Sequence, residues 1–133
     1  MDEELRSTVR RRAKHRCEYC QLPQECAPIF RFHIEHIRAR QHGGGDEPAN
    51  LALACPNCNH HKGPNLTGID PITDTVVMLF DPRTQSWAEH FEISGPRILG
   101  RTPNGRATVR LLDINGDQQL RMRATLHDRG EWP

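Results

Sequence analysis

An α+β fold is predicted by three observations in this 133-residue sequence. Two Cys-x-x-Cys pairs, Cys17/Cys20 and Cys55/Cys58, stand with 34 residues between them. Between the pairs lie an alternating stretch, a glycine-rich loop and a short apolar run that leads into a short helix. After Gly68 the chain changes to a mixture of β-branched, extended and helix-forming stretches. The predicted organisation is therefore a strand–strand–helix finger with an N-terminal basic helix (residues 1–68) and a small C-terminal α/β extension packed on it (residues 69–133).

Each element has its own signal. Glu3 and Glu4 near the start and Lys14 and Arg16 near the end complement a helix dipole over residues 3–15. Leu5 and Val9, four apart, share a buried stripe on that helix. Pro23 and Pro28 mark residues 21–31 as loop. Phe32-His33-Ile34-Glu35-His36-Ile37 alternates as a strand, with Phe32, Ile34 and His36 on one side. Gly43-Gly44-Gly45-Asp46 and Pro48 make residues 38–50 a turn-rich loop. Leu51-Ala52-Leu53-Ala54 reads as a buried strand. Pro56 suits a first helical position, and Gly63-Pro64 ends that helix. In the extension, Asp74–Phe80 reads as a strand and Ser86 as the cap of a short helix. Gln85 and Glu89 fit a capping box around it. Ile93 onward reads as extended, Pro103-Asn104-Gly105 as a turn, residues 107–114 as strand or helix, and residues 118–127 as helix.

Hydrophobic residues are 35% of the chain and aromatics 5%, which is thin for a self-sufficient small core. The cysteines supply the missing brace. Two residues between the sulfurs of each pair let both thiolates turn onto one ion, and two such pairs complete a tetrahedral zinc site. Cys17, Cys20, Cys55 and Cys58 are thus assigned to structural zinc, and Cys26 to a small buried hydrophobe. Met1-Asp2-Glu3-Glu4 lacks the apolar segment of a signal peptide, and no apolar run approaches the ~18 residues that cross a bilayer. A cytoplasmic, non-membrane protein is expected.

Charge is nearly balanced, with 18 Lys+Arg against 17 Asp+Glu, yet uneven along the chain. Arg10-Arg11-Arg12-Ala13-Lys14-His15-Arg16 holds five fixed cations and no acid directly before the first cysteine. Such a run is a candidate phosphate-binding face.

The chemistry-bearing residues lie between and beside the cysteines: Glu35-His36 closing one strand, Asn50 opening the next, and Asn59 after the fourth cysteine. With Cys17-Glu18-Tyr19-Cys20, His42-Gly43-Gly44, Asn50-Leu51-Ala52-Leu53-Ala54-Cys55 and Cys58-Asn59-His60-His61-Lys62-Gly63, they resemble the HNH endonucleases of the ββα-metal fold, in the subgroup braced by a four-cysteine zinc. Stretches such as Gly68-Ile69-Asp70-Pro71 and Trp87-Ala88-Glu89-His90-Phe91 are similar to the family's small stand-alone bacterial members. The resemblance implies His36 as general base, Asn50 as the residue that orients it, and Glu35 and Asn59 as ligands of a catalytic divalent ion. Glu35 stands where the family commonly has Asp, and Asn59 where it uses His or Asn.

Independent chemistry supports those roles. Neutral imidazole suits activation of water near neutral pH. Glu35 and Asn59 offer only oxygens, which favour Mg²⁺ or Mn²⁺ over zinc. The expected function is a metal-dependent DNA endonuclease, with double-stranded DNA as substrate. Phosphate contacts are expected from Arg10, Arg11, Arg38, Arg40, His61 and Lys62. The rivals are a non-catalytic zinc-finger DNA-binding module and a zinc-stabilised adaptor, neither of which needs a base or an oxygen-ligated metal. Neighbouring strand residues point to opposite faces, so Glu35 and His36 can serve one phosphate only if the strand ends there.

Overall fold

Helix α1, Glu3–Arg12, opens the chain, capped by the Asp2 carboxylate on the Leu5 amide at 2.8 Å. It stops before the expected residue 15 because Lys14 and His15 both adopt φ of 56°, a left-handed conformation that cannot continue the helix. Val9 is fully buried and Leu5 partly so, as their spacing requires. The computed structural model describes residues 1–27 and 29–133, so Pro28, read as part of a loop, lies outside the described residues. A single 3₁₀ turn, Gln24–Cys26, interrupts the loop before it.

The finger follows in the expected order. Strand β1, His33–His36, pairs antiparallel with β2, Leu51–Ala54, in the register His33–Ala54 to His36–Leu51. Every residue of β2 is buried. The connecting loop carries two 3₁₀ turns, Arg40–His42 and Pro48–Asn50. Helix α2, Pro56–Lys62, has Pro56 at its first position and the Cys55 sulfur accepting from the Cys58 amide as its cap. The alternation of β1 departs from expectation. Its most buried member is Glu35, at 5% exposure, while Ile34 is half-buried.

Among the described residues there are three antiparallel strand pairs, and the other two belong to the C-terminal half. Strand β3, Thr67–Ile69, pairs with β4, Val76–Met78; this β4 is shorter than the expected 74–80. Helix α3, Trp87–His90, begins after Ser86, but no capping box forms: Ser86 makes no side-chain cap, and Gln85 instead accepts from the Asp81 amide. Strands β5, Phe91–Ser94, and β6, Arg97–Gly100, make the last hairpin. Pro103-Asn104-Gly105 is not a turn. It is the first turn of α4, Pro103–Leu111, capped by the Thr102 hydroxyl on the Gly105 amide. Thr102 lies just before the proline, which is a cap-plus-proline start rather than a reversal. Helix α5, Asp117–Asp128, covers the stretch expected to be helical.

One buried cluster draws on both halves, from Val9 and the four zinc-spaced cysteines through Phe80, Phe91, Ile98 and Leu112 to Trp132. Trp87 and Phe91 stack at 5.0 Å within it, as core rather than as an open platform for bases. Phe80 meets Phe91 edge-on at 5.1 Å and Tyr19 at 6.5 Å. Cys26 is only half-buried, and its thiol donates to the Pro23 carbonyl at 2.8 Å. No helix among the described residues is long and apolar enough to cross a membrane.

Candidate active site

The four cysteines of the two knuckles converge: their sulfurs all lie within 4.8 Å of one another, and Cys20 Sγ is 3.7 Å from Cys55 Sγ. Tetrahedral bonding at about 2.3 Å per Zn–S bond puts neighbouring sulfurs about 3.8 Å apart, so the donor set fits a structural zinc ion. Each knuckle points an amide at its first sulfur, Cys20 N to Cys17 Sγ at 3.5 Å and Cys58 N to Cys55 Sγ at 3.4 Å. Contact with the neighbouring sulfurs pushes the Cys20 and Cys58 thiols up and pulls Cys55 down. Four thiolates crowded in one buried spot require a cation.

Tyr19 lies between the two cysteines of the first knuckle and reaches β1. Its hydroxyl donates to Glu35 Oε2 at 2.8 Å, and its carbonyl accepts from the Trp87 indole at 2.9 Å. Glu18 accepts from the Leu53 amide of β2 and pairs with Arg83. The knuckle is therefore fastened to both strands and to the C-terminal half.

Glu35 is held inside. Lys62, on α2, brings its Nζ to 2.6 Å from Glu35 Oε1, with both side chains under 5% exposed. Oε1 is thus paired with the buried ammonium. The ammonium also donates to the Ile37 carbonyl at 2.9 Å and lies 3.4 Å from that of His36. Burial pushes the Glu35 carboxyl above its usual range, against the pull of Lys62 and Tyr19. The Tyr19 hydroxyl is pushed well up, by burial first and by the Glu35 charge second.

His36 ends β1 and leaves the strand on the side of the loop. Its Nε2 is 2.7 Å from Asp46 Oδ1. Arg40 places one guanidinium nitrogen 2.8 Å from Asp46 Oδ1 and 3.1 Å from Oδ2. The hydrogen bond from His36 holds the Asp46 carboxyl below its usual range, with Arg40 adding to the effect.

Asn50 shapes the loop that carries Asp46. Its amide oxygen accepts from the Arg38 N–H, and its amide nitrogen donates to the carbonyls of Arg38 and Gly45, each bond 2.9 Å long. A Cβ at Gly44 would lie 1.7 Å from the Arg38 carbonyl oxygen and 2.9 Å from Asn50 Nδ2, so only glycine allows this closure. Asn50 thus pins the loop at Arg38 and at Gly45, next to Asp46.

A model of the HNH endonuclease family matches residues 17–65, from the first zinc knuckle to just past α2. The chain carries an HNH endonuclease domain. Neither curated proteins nor solved structures yield a match to the chain. The HNH domain implies nuclease chemistry on a nucleic acid, and the nuclease family uses a divalent metal.

Within the HNH domain, Asn59 lies one turn before Lys62 on α2 and is half-exposed. The residues expected at phosphates divide. Arg11 and His61 are exposed, with His61 Nδ1 against the Asn57 carbonyl at 2.9 Å. Arg10 is half-buried. Arg38 donates to the His42 carbonyl, Arg40 is engaged by Asp46, and Lys62 points inward rather than to solvent. Sequence reasoning missed three contributors. Asp46 looked like part of a turn, although an acid directly after a glycine run is a usable signal. Tyr19 was read only as part of the first cysteine motif. Arg12 was counted with the phosphate-facing run, yet it donates to the carbonyls of Pro48 at 2.9 Å and Leu51 at 2.6 Å, bracing the loop from α1.

Proposed function

We propose that this chain is a metal-dependent DNA endonuclease that hydrolyses phosphodiester bonds, with double-stranded DNA as its substrate. The observation that carries the reading is His36, a partly exposed imidazole at the end of the catalytic strand of an HNH domain, held by a carboxylate on one nitrogen. A DNA-binding module needs no imidazole fixed in this way.

His36 takes the proton of the attacking water, and Asn50 keeps the loop around it closed. Glu35 and Asn59 are the oxygen donors available to a divalent ion, Mg²⁺ or Mn²⁺ by their hardness. Lys62 pairs with that carboxylate here, so Glu35 would have to give up this contact to hold an ion. When bound, the ion supplies charge stabilisation on the phosphate oxygens and the leaving 3′ oxygen. The products are 5′-phosphate and 3′-hydroxyl ends. Arg10, Arg11 and His61 are the proposed phosphate contacts, and the cytoplasm is the proposed location.

The deciding assay incubates supercoiled plasmid with the zinc-loaded protein and Mg²⁺ or Mn²⁺, beside His36→Ala. Wild type converts the plasmid to nicked or linear forms, and the variant loses roughly 10²–10⁴-fold in rate. Intact plasmid across several divalent ions would overturn the enzyme reading, and equal cutting by the variant would remove His36 as the base.

A further inference from the structure

We propose that Asp46 is a positioning residue for the reaction: it fixes His36 as the Nε2–H tautomer, so that Nδ1 is the nitrogen that takes the proton from water. The proposal rests on the reading of His36 as general base. It is carried by geometry. Asp46 Oδ1 stands 2.7 Å from His36 Nε2. An ionised carboxylate can only accept a hydrogen bond, so Nε2 must carry the hydrogen. In the neutral ring the lone pair is then on Nδ1, which has no hydrogen-bond partner among the described residues. Nε2 cannot serve as the base while it donates to Asp46.

The carboxylate is itself held. Arg40 engages both of its oxygens from within the same loop. Gly45, its neighbour, is pinned through its carbonyl by Asn50. Orientation therefore passes from Asn50 through the backbone of Gly45 to Asp46 and on to the imidazole. A carboxylate behind a base histidine restricts ring rotation, selects a tautomer and stabilises the imidazolium that forms on proton uptake. Arg40 is then an anchor for Asp46 rather than a free phosphate clamp.

Other charges around His36 are accounted for. Glu35 precedes it on β1 and is compensated by Lys62 from α2, whose Nζ approaches the His36 carbonyl rather than the ring. Arg40 and Asp46 come from the loop. Asp46 is thus the anion that bears on the imidazole directly.

The test uses the full zinc-loaded chain with Asp46→Asn, Asp46→Ala and Asp46→Glu. Asp46 has a side chain 38% exposed in a loop, and zinc content and circular dichroism check that each variant folds. Nitrogen-15 NMR of the imidazole reports the tautomer without reference to activity: the wild type shows Nε2–H, and Asp46→Ala shows a mixture. Asp46→Asn cleaves roughly 10- to 100-fold more slowly, with little change in KM for DNA. Asp46→Glu recovers part of the rate. If His36→Ala is inactive while Asp46→Asn and Asp46→Ala keep the wild-type tautomer and rate, the proposal is overturned and the base assignment stands. If His36→Ala cuts normally, the base assignment fails, and the NMR result is still read.

Discussion

Lys62 and Glu35 bury opposite charges against each other in the middle of the finger, and neither has an alternative counter-charge at hydrogen-bond distance among the described residues. Removing one partner of such a pair strands the other in a medium that solvates it poorly. Lys62→Met is expected to lower stability by about 3–5 kcal/mol. The double variant Glu35→Leu/Lys62→Met should recover much of that loss, because no uncompensated charge is left. Urea unfolding of the four proteins checks the coupling, and additive losses would mean that the two side chains act independently. Residue identities were legible in the sequence where the backbone dictated them: the four cysteines, Pro56 and Gly63 all occupy the expected positions. The inward turn of Glu35 and Lys62 was not legible. Period-two alternation assigns a face, and nothing in the alternation of β1 signals that a lysine four residues beyond the second knuckle will fold back to neutralise a strand acid.

Elements of the C-terminal half are tied together by identifiable contacts. Asp70, after β3, is buried and takes two bonds of 2.8 Å from the Arg106 guanidinium of α4. Those bonds hold its carboxyl well below the ordinary range. A carboxyl with a depressed folded value contributes stability above its unfolded value of about 3.9 and loses it as the pH falls toward the folded one. Thermal melts between pH 6 and pH 2.5 should therefore show the wild type losing stability below about pH 4 more steeply than Asp70→Asn. Parallel curves would show that this pair does not couple the β3–β4 hairpin to α4. The same segment explains where the sequence misled. Pro103-Asn104-Gly105 has turn composition, but Thr102 before it and the helix formers after it make the proline a helical start. Gly105 is required because a Cβ there would lie 2.1 Å from the His90 carbonyl oxygen, a tertiary approach that composition does not encode.

At the scale of the whole molecule, the finger and the C-terminal half share one core, and the zinc knuckles lie inside it. EDTA at moderate concentration should remove a divalent ion from oxygen donors and stop cleavage while the four thiolates keep their zinc. A stronger chelator, or Cys58→Ala, should cost the fold as well. Circular dichroism and released zinc, followed with a colorimetric indicator, separate the two stages; simultaneous loss of cleavage and fold at low EDTA would contradict the split. Tyr19 gives the arrangement a further consequence. One residue of the first knuckle supplies the hydroxyl for Glu35 and the carbonyl for Trp87, so a disturbance of that knuckle would reach the strand acid and the C-terminal half together.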